Sequence, residues 1–142
     1  MIIGLHHVAL GVTRDEFDAA VEFYTATLGG TIEFTSQLTE RPDADAVIGI
    51  AGVEARIAMV RLGGARVEIW AYDSPAPTER CRDANALGYP HIALAVTDIE
   101  AEHRRLSEAG MTFVGPPVQV GASRAVYGRD PFGNLIELYQ GS

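Results

Sequence analysis

The chain has 142 residues, about one domain, and can bury a core that stands without staples. Nineteen acidic residues outnumber eleven basic ones, for a net charge of −8, which disfavours a nucleic-acid partner because phosphate binding begins with a basic surface. The single cysteine, Cys81, excludes an internal disulfide and a cysteine cluster for zinc or iron–sulfur. The opening Met-Ile-Ile-Gly-Leu-His-His lacks the basic flank and apolar run of a signal peptide, and no stretch approaches the roughly 18 apolar residues of a membrane span. A reduced, cytoplasmic setting is the expectation. All the basic residues are arginine, which suits fixed contacts to carboxylate or phosphate groups, although a bias of composition accounts for it equally well.

The first element repeats. His7-Val8-Ala9-Leu10-Gly11-Val12-Thr13 matches His91-Ile92-Ala93-Leu94-Ala95-Val96-Thr97 at five of seven positions, offset by 84. Each stretch alternates as a strand does, with Val8, Leu10 and Val12 (or Ile92, Leu94 and Val96) on a bulky face fit to meet a helix. The opposite face carries only small residues beyond His7 or His91, which leaves open space in front of a histidine. After each strand, Thr13-Arg14-Asp15-Glu16 and Thr97-Asp98-Ile99-Glu100 fit the Thr-x-x-Glu capping box of a helix start. The first helix carries Phe17, Val21, Tyr24 and Leu28 at helical spacing and stops at Gly29-Gly30; the second carries Ile99, Leu106 and Ala109 and stops at Gly110.

Three strands follow each helix, at about 31–37, 54–62 and 65–72, and at about 111–115, 123–129 and 134–140. The last strands match again: Gly64-Ala65-Arg66-Val67-Glu68-Ile69-Trp70 resembles Gly133-Asn134-Leu135-Ile136-Glu137-Leu138-Tyr139, offset by 69. The shorter offset reflects a longer excursion in the first half, roughly Ser36 to Gly52, which is a candidate lid. The organisation expected is a single domain over 1–142, with module 1 at about 1–72, a linker at about 73–87 containing Pro75 and Pro77, and module 2 at about 88–142.

In each closing strand a glutamate opposes two core residues, Glu68 against Val67 and Ile69, Glu137 against Ile136 and Leu138. A carboxylate there is costly to desolvate and needs water, a cation or a metal. Taken singly, His7, His91, Glu68 and Glu137 are better read as satisfied core histidines and solvent-facing carboxylates. Taken together, they fall at equivalent places in a repeated module, and imidazole with carboxylate suits Zn, Ni, Co, Mn or Fe. His6, on the bulky face of its strand, and His103, on a charged helix, read as packing or surface residues. Cys81, in the linker, has no identifiable activating base. The chain has no Gly-rich phosphate loop after a strand, no Gly-x-Ser-x-Gly elbow and no His-Glu-x-x-His helix.

Three stretches, Leu5-His6-His7-Val8-Ala9-Leu10, Pro90-His91-Ile92-Ala93-Leu94 and Tyr127-Gly128-Arg129-Asp130-Pro131-Phe132-Gly133-Asn134-Leu135-Ile136-Glu137-Leu138, carry a family resemblance. Over nearly its whole length the sequence resembles the vicinal oxygen chelate superfamily, and within it glyoxalase I and methylmalonyl-CoA epimerase. The resemblance implies an α+β fold in which two βαβββ modules form an eight-stranded cup around one divalent metal (Ni, Co, Zn, Mn or Fe), held by His7, Glu68, His91 and Glu137. It implies a metal-dependent lyase, isomerase or epimerase that moves a proton next to a carbonyl through a metal-chelated enolate, with Glu137 or Glu68 as the base. A small-molecule substrate and a homodimer follow from the same likeness. The two-His, two-Glu set looks like that of bacterial glyoxalase I, whereas the epimerase pattern usually has Gln in place of Glu68. Strand parity and nearness to the closing motif nominate Met59, Trp70, Tyr127 and Tyr139 as cup lining and Arg124 or Arg129 for an anionic substrate tail. Two alternatives stand beside this reading: a ring-cleaving dioxygenase needing Fe or Mn and a further catalytic histidine, and a metal-independent binding or resistance protein that turns nothing over.

Overall fold

The opening and closing strands of each half pair side by side in the structure, a computed structural model that describes residues 1–79 and 83–141. Cys81 and neighbouring positions of the expected linker therefore lie outside the described residues. The chain forms a mixed α+β fold with two sheets, divided into two compact units, Met1–Glu79 and Arg80–Ser142.

In the first unit, β1 (Val8–Val12) leads through a 3₁₀ turn (Arg14–Glu16) into α1 (Phe17–Glu22) and a π turn (Phe23–Thr27). Then come β2 (Thr31–Leu38), α2 (Pro42–Ile48), β3 (Glu54–Leu62) and β4 (Ala65–Ser74), in sheet order β1-β4-β3-β2. The first helix start forms as expected: the Thr13 N–H donates to Glu16 Oε2 at 2.8 Å. The buried stripe, however, is Phe17, Ala20, Phe23 and Tyr24, while Val21 and Leu28 are only half-buried. A π turn closes the helix. Leu28 N–H donates to Phe23 O at 3.0 Å, five residues back, and the Thr25 hydroxyl donates to Val21 O at 2.7 Å, so the helix phase slips at its end. Gly30 closes the segment where no side chain fits, since a Cβ there would stand 2.4 Å from Val60 Cγ1 and 2.5 Å from Tyr24 O.

The excursion between β2 and β3 is a packed helix. Its Ala44 and Ile48 lie against buried Leu38, Val53, Ala55 and Ile57 together with Trp70 and Tyr72. Asp45 fastens it by accepting from the Gly52 and Val53 N–H groups at 2.7 and 2.9 Å.

The second unit runs β5 (His91–Ala95), α3 (Ile99–Glu108), β6 (Thr112–Phe113), β7 (Val118–Val120), β8 (Ser123–Arg129) and β9 (Leu135–Gln140), in order β5-β9-β8-β6 with β7 also on β8. The expected strand at 111–115 is thus a two-residue piece, and a second piece lies beyond Pro116-Pro117. A proline has no N–H to give a ladder, so the pair interrupts the strand. The second helix is capped one residue later than expected: Asp98 accepts from the Ala101 N–H at 3.0 Å, and Glu100, free of a capping role, pairs with Arg124. Ile99 and Leu106 are buried as expected, whereas Ala109 is exposed at the helix end.

The two sheets share one register. In the first, β1 runs parallel to β4 with Val8 beside Val67, Ala9 beside Glu68 and Leu10 beside Ile69. In the second, β5 runs parallel to β9 with Ile92 beside Ile136, Ala93 beside Glu137 and Leu94 beside Leu138. Val67, Ile69, Ile136 and Leu138 are all buried, each contributing roughly 1.5–3 kcal/mol by leaving water. Each glutamate points away from that core, beside an alanine whose small side chain keeps the space before it clear.

Candidate metal centre

His7 sits immediately before β1 and His91 opens β5. His7 Nε2 stands 3.3 Å from Glu68 Oε2, and His91 Nε2 stands 3.4 Å from Glu137 Oε2. Both carboxylates are largely sheltered, at 13% and 18% side-chain exposure, while the imidazoles remain about a third open. These separations exceed the ~2.7–2.9 Å of a charge-assisted hydrogen bond. They match the spacing of about 3.0–3.4 Å between two donors each ~2.1 Å from a shared ion. Each pair therefore fits two neighbouring ligands of a divalent metal. Among the described residues no group of three or more such side chains stands ready to hold an ion.

The surroundings of the two pairs differ. In the first unit, the Trp70 indole N–H donates to Glu68 Oε2 at 2.5 Å, and its ring stacks on Tyr72 with centroids 5.2 Å apart. Burial, and after it the Glu68 charge, pushes the Tyr72 phenol above its ordinary pKa. Met59 faces Glu68 across the antiparallel ladder and is buried. His6 is exposed rather than packed, and its Nδ1 lies 2.8 Å from His7 Nδ1. A partner on the second ring nitrogen is what orients a ligating histidine, so His6 belongs to the site's surroundings.

In the second unit, Tyr127 faces Glu137 across the ladder, its hydroxyl 3.5 Å from His91 Nε2 and its ring edge-on to the imidazole. Among the described residues His91 Nδ1 is buried with no hydrogen-bond partner, while its Nε2 faces both Glu137 and Tyr127. Tyr139, the counterpart of Trp70, is turned to Ser123, hydroxyl to hydroxyl at 2.6 Å. Arg124 stands apart from this group: it shares the strand face of buried Val126, opposite Tyr127, and is paired with Glu100 of α3. Arg129 donates to Gly133 O at 2.9 Å.

The closing motif has a structural task that places Glu137. Asp130 is buried; its Oδ1 accepts from the Phe132 and Asn134 N–H groups at 3.0 and 2.8 Å, and its Oδ2 from Asn134 Nδ2 at 2.9 Å. With Gly133 at φ 85°, this fixes the hairpin and the register that sets Tyr127 opposite Glu137. Neither Tyr72 nor His6 was among the expected site residues. The alternation Glu68, Trp70, Tyr72 points to the first, and only the folded position of His6 beside His7 points to the second.

Two βαβββ-like units with a His–Glu pair at the same register in each define the class, and the comparison with known proteins agrees. Residues 4–138 match the model of the Glyoxalase/Bleomycin resistance protein/Dioxygenase superfamily, and the chain belongs to that superfamily. It is 30% identical over 150 residues to a 2-epi-5-epi-valiolone epimerase from Actinomyces sp, covering 96% of this chain and 78% of the relative. It is 32% identical over 127 residues to a probable lactoylglutathione lyase from Vibrio cholerae, covering 88% and 83%. A solved structure, the glyoxalase family protein from Bacillus cereus, superposes with a TM-score of 0.86 at 28% identity, covering 99% of this chain and 95% of that one. The superfamily includes enzymes, among them proteins named as epimerase and lyase. Among the described residues no helix is long and apolar enough to cross a membrane.

Proposed function

We propose that the two modules act as one domain, a metal-dependent lyase or isomerase that moves a proton next to a carbonyl, with His7, Glu68, His91 and Glu137 as its metal-holding set. The observation that carries the reading is the duplication itself: two His–Glu pairs at one register, 3.3 and 3.4 Å apart, each on the sheet face opposite the core. A divalent metal, when bound, supplies Lewis-acid polarisation of a substrate carbonyl. The protein's own part is to hold carboxylates in a partly sheltered site, where a carboxylate oxygen of Glu137 or Glu68 takes a proton from the carbon beside the carbonyl and returns it. Trp70, Met59, Tyr127 and Tyr139 supply the walls.

An uncharged carbonyl compound suits these faces best. Arg124 is committed to Glu100, Arg129 to Gly133 O, Arg56 to Asp18, and Arg61 and Arg66 to Glu33. Of the names carried by relatives, the epimerase of a valiolone fits such a substrate better than the lyase of a glutathione adduct. Members of the superfamily are often dimeric, and a homodimer is part of the proposal, to be checked by light scattering.

The test is metal analysis of the purified protein followed by proton-exchange NMR with neutral 2-oxo and polyol-ketone substrates. Glu137→Gln is expected to lose exchange and to weaken metal binding together. A variant that retained both would overturn the reading, and tight binding of a small molecule by metal-free protein without turnover would replace it with sequestration.

A further inference from the structure

The two glutamates occupy the same register, yet their polar company differs. Glu68 Oε2 receives the Trp70 N–H at 2.5 Å while the same oxygen faces His7 Nε2 at 3.3 Å. The counterpart of Trp70 in the second sheet, Tyr139, has its hydroxyl beside that of Ser123 instead, at 2.6 Å. Among the described residues Glu137 receives no hydrogen bond, and its polar contact is His91. We infer that Trp70 is a positioning residue: its indole N–H fixes the Glu68 carboxylate in the orientation that serves a metal, and so makes Glu68 the held carboxylate and Glu137 the freer one.

Three features of the chain support this. The indole is itself immobilised, stacked on Tyr72 with the planes 19° apart and lying in the cluster that α2 covers. A carboxylate oxygen has two lone pairs, so accepting from Trp70 leaves one for a cation beside His7. Ligating carboxylates gain order from hydrogen bonds in their surroundings, and loss of such a partner typically lowers metal affinity by 10–100-fold. Glu137, with no such donor, keeps the freedom that a proton-carrying carboxylate needs.

The inference rests on the metal reading above, and the experiment separates the two. Trp70 is the only tryptophan, so a ¹⁵N-labelled sample has a single indole N–H resonance. In metal-free protein that resonance is expected to be slowly exchanging and shifted from its free-indole position, and Glu68→Gln moves it. An indole signal at the free position, in fast exchange, would overturn the inference whatever the metal does. Titration with Zn(II) is expected to shift the resonance in wild-type protein. Calorimetric Zn(II) affinity should fall 10-fold or more in Trp70→Phe, a variant that retains the aromatic stack on Tyr72, with its folding checked by its denaturation midpoint. Equal affinity in folded Trp70→Phe and wild type would refute the positioning role while leaving the metal reading intact. A wild-type protein with the hydrogen-bonded indole but no affinity for Zn(II), Ni(II), Co(II) or Mn(II) would sink the metal reading, and with it the role assigned to Trp70. If Trp70→Phe does not fold, the indole exchange rate and its response to Zn(II) in wild-type protein decide the matter.

Discussion

Replacing Asp130 by alanine should be among the most damaging single changes available outside the apolar core. Its carboxylate accepts two backbone N–H groups and one side-chain amide, at 3.0, 2.8 and 2.9 Å, inside a turn where it is 3% exposed. Hydrogen bonds to a charged acceptor contribute about 1.5–3 kcal/mol each, and they do not add fully, because removing one partner relaxes the others. Truncation also removes the carboxylate acceptor of the Phe132 N–H in a buried turn. A loss of about 3–5 kcal/mol follows, a large share of the ~5–15 kcal/mol of a typical domain. In a urea titration followed by circular dichroism, with a slope of about 2 kcal/mol/M, the midpoint should fall by about 1.5–2.5 M. Asp130→Asn keeps an acceptor for the backbone but turns an amide toward the Asn134 amide, and should lose roughly half as much. A stability for Asp130→Ala within about 0.5 kcal/mol of wild type would refute the account of the closing motif as the device that sets the β8–β9 register.

Other outcomes follow from local geometry. Gly30→Ala meets a backbone carbonyl at 2.5 Å, which cannot swing aside as a side chain can, so it should cost about 1–3 kcal/mol by denaturant titration. The acid limb of stability should depend on three surface pairs. Hydrogen bonds from Arg56 to Asp18 and from Arg66 to Glu33 hold those carboxyls below their ordinary values, and Arg41 holds Asp43 at about 2. Because the folded values are the lower ones, their contribution is present above about pH 4.5 and is lost as pH falls through the folded pKa values. The combined variant Asp18→Asn, Glu33→Gln, Asp43→Asn should show a flatter stability profile from about pH 4.5 down to 2, with the difference shrinking in 1 M salt. An unchanged profile would show that these pairs contribute nothing.

Much of the fold was legible because the chain states it twice. Period-two alternation located β1, β3, β4, β5, β8 and β9 to within a residue or two, and the repeat brought the two histidines and two glutamates into equivalent places before any fold was known. What was missed depends on competition between near-equal local options. Thr97 and Asp98 are both good caps, and Asp98 won once Glu100 had Arg124 to bind. The π turn leads into the tight approach of Gly30 to Tyr24 and Val60, and no periodicity in the helix encodes either. Arg124 shows a different failure. It is three residues from Tyr127, and odd spacing in a strand means opposite faces, so nearness to the closing motif gave no nearness to its glutamate.

A duplicated scaffold supplies two of everything, and on the proposed reading the differences between the copies carry the chemistry. The backbone registers at Ala9–Glu68 and Ala93–Glu137 are the same, so drift in the strands cannot make the two glutamates unlike. Their neighbours can. Position i+2 holds an indole that donates to the carboxylate in one copy and a phenol turned to a serine in the other. The cross-strand partner is an apolar methionine in one and a tyrosine that reaches toward the histidine in the other. A carboxylate tied by an N–H donor loses orientational freedom, while one without a donor retains it. On the proposed reading, a site that holds an ion and also moves a proton is served by one carboxylate of each kind, and the side chains at these two positions distinguish them.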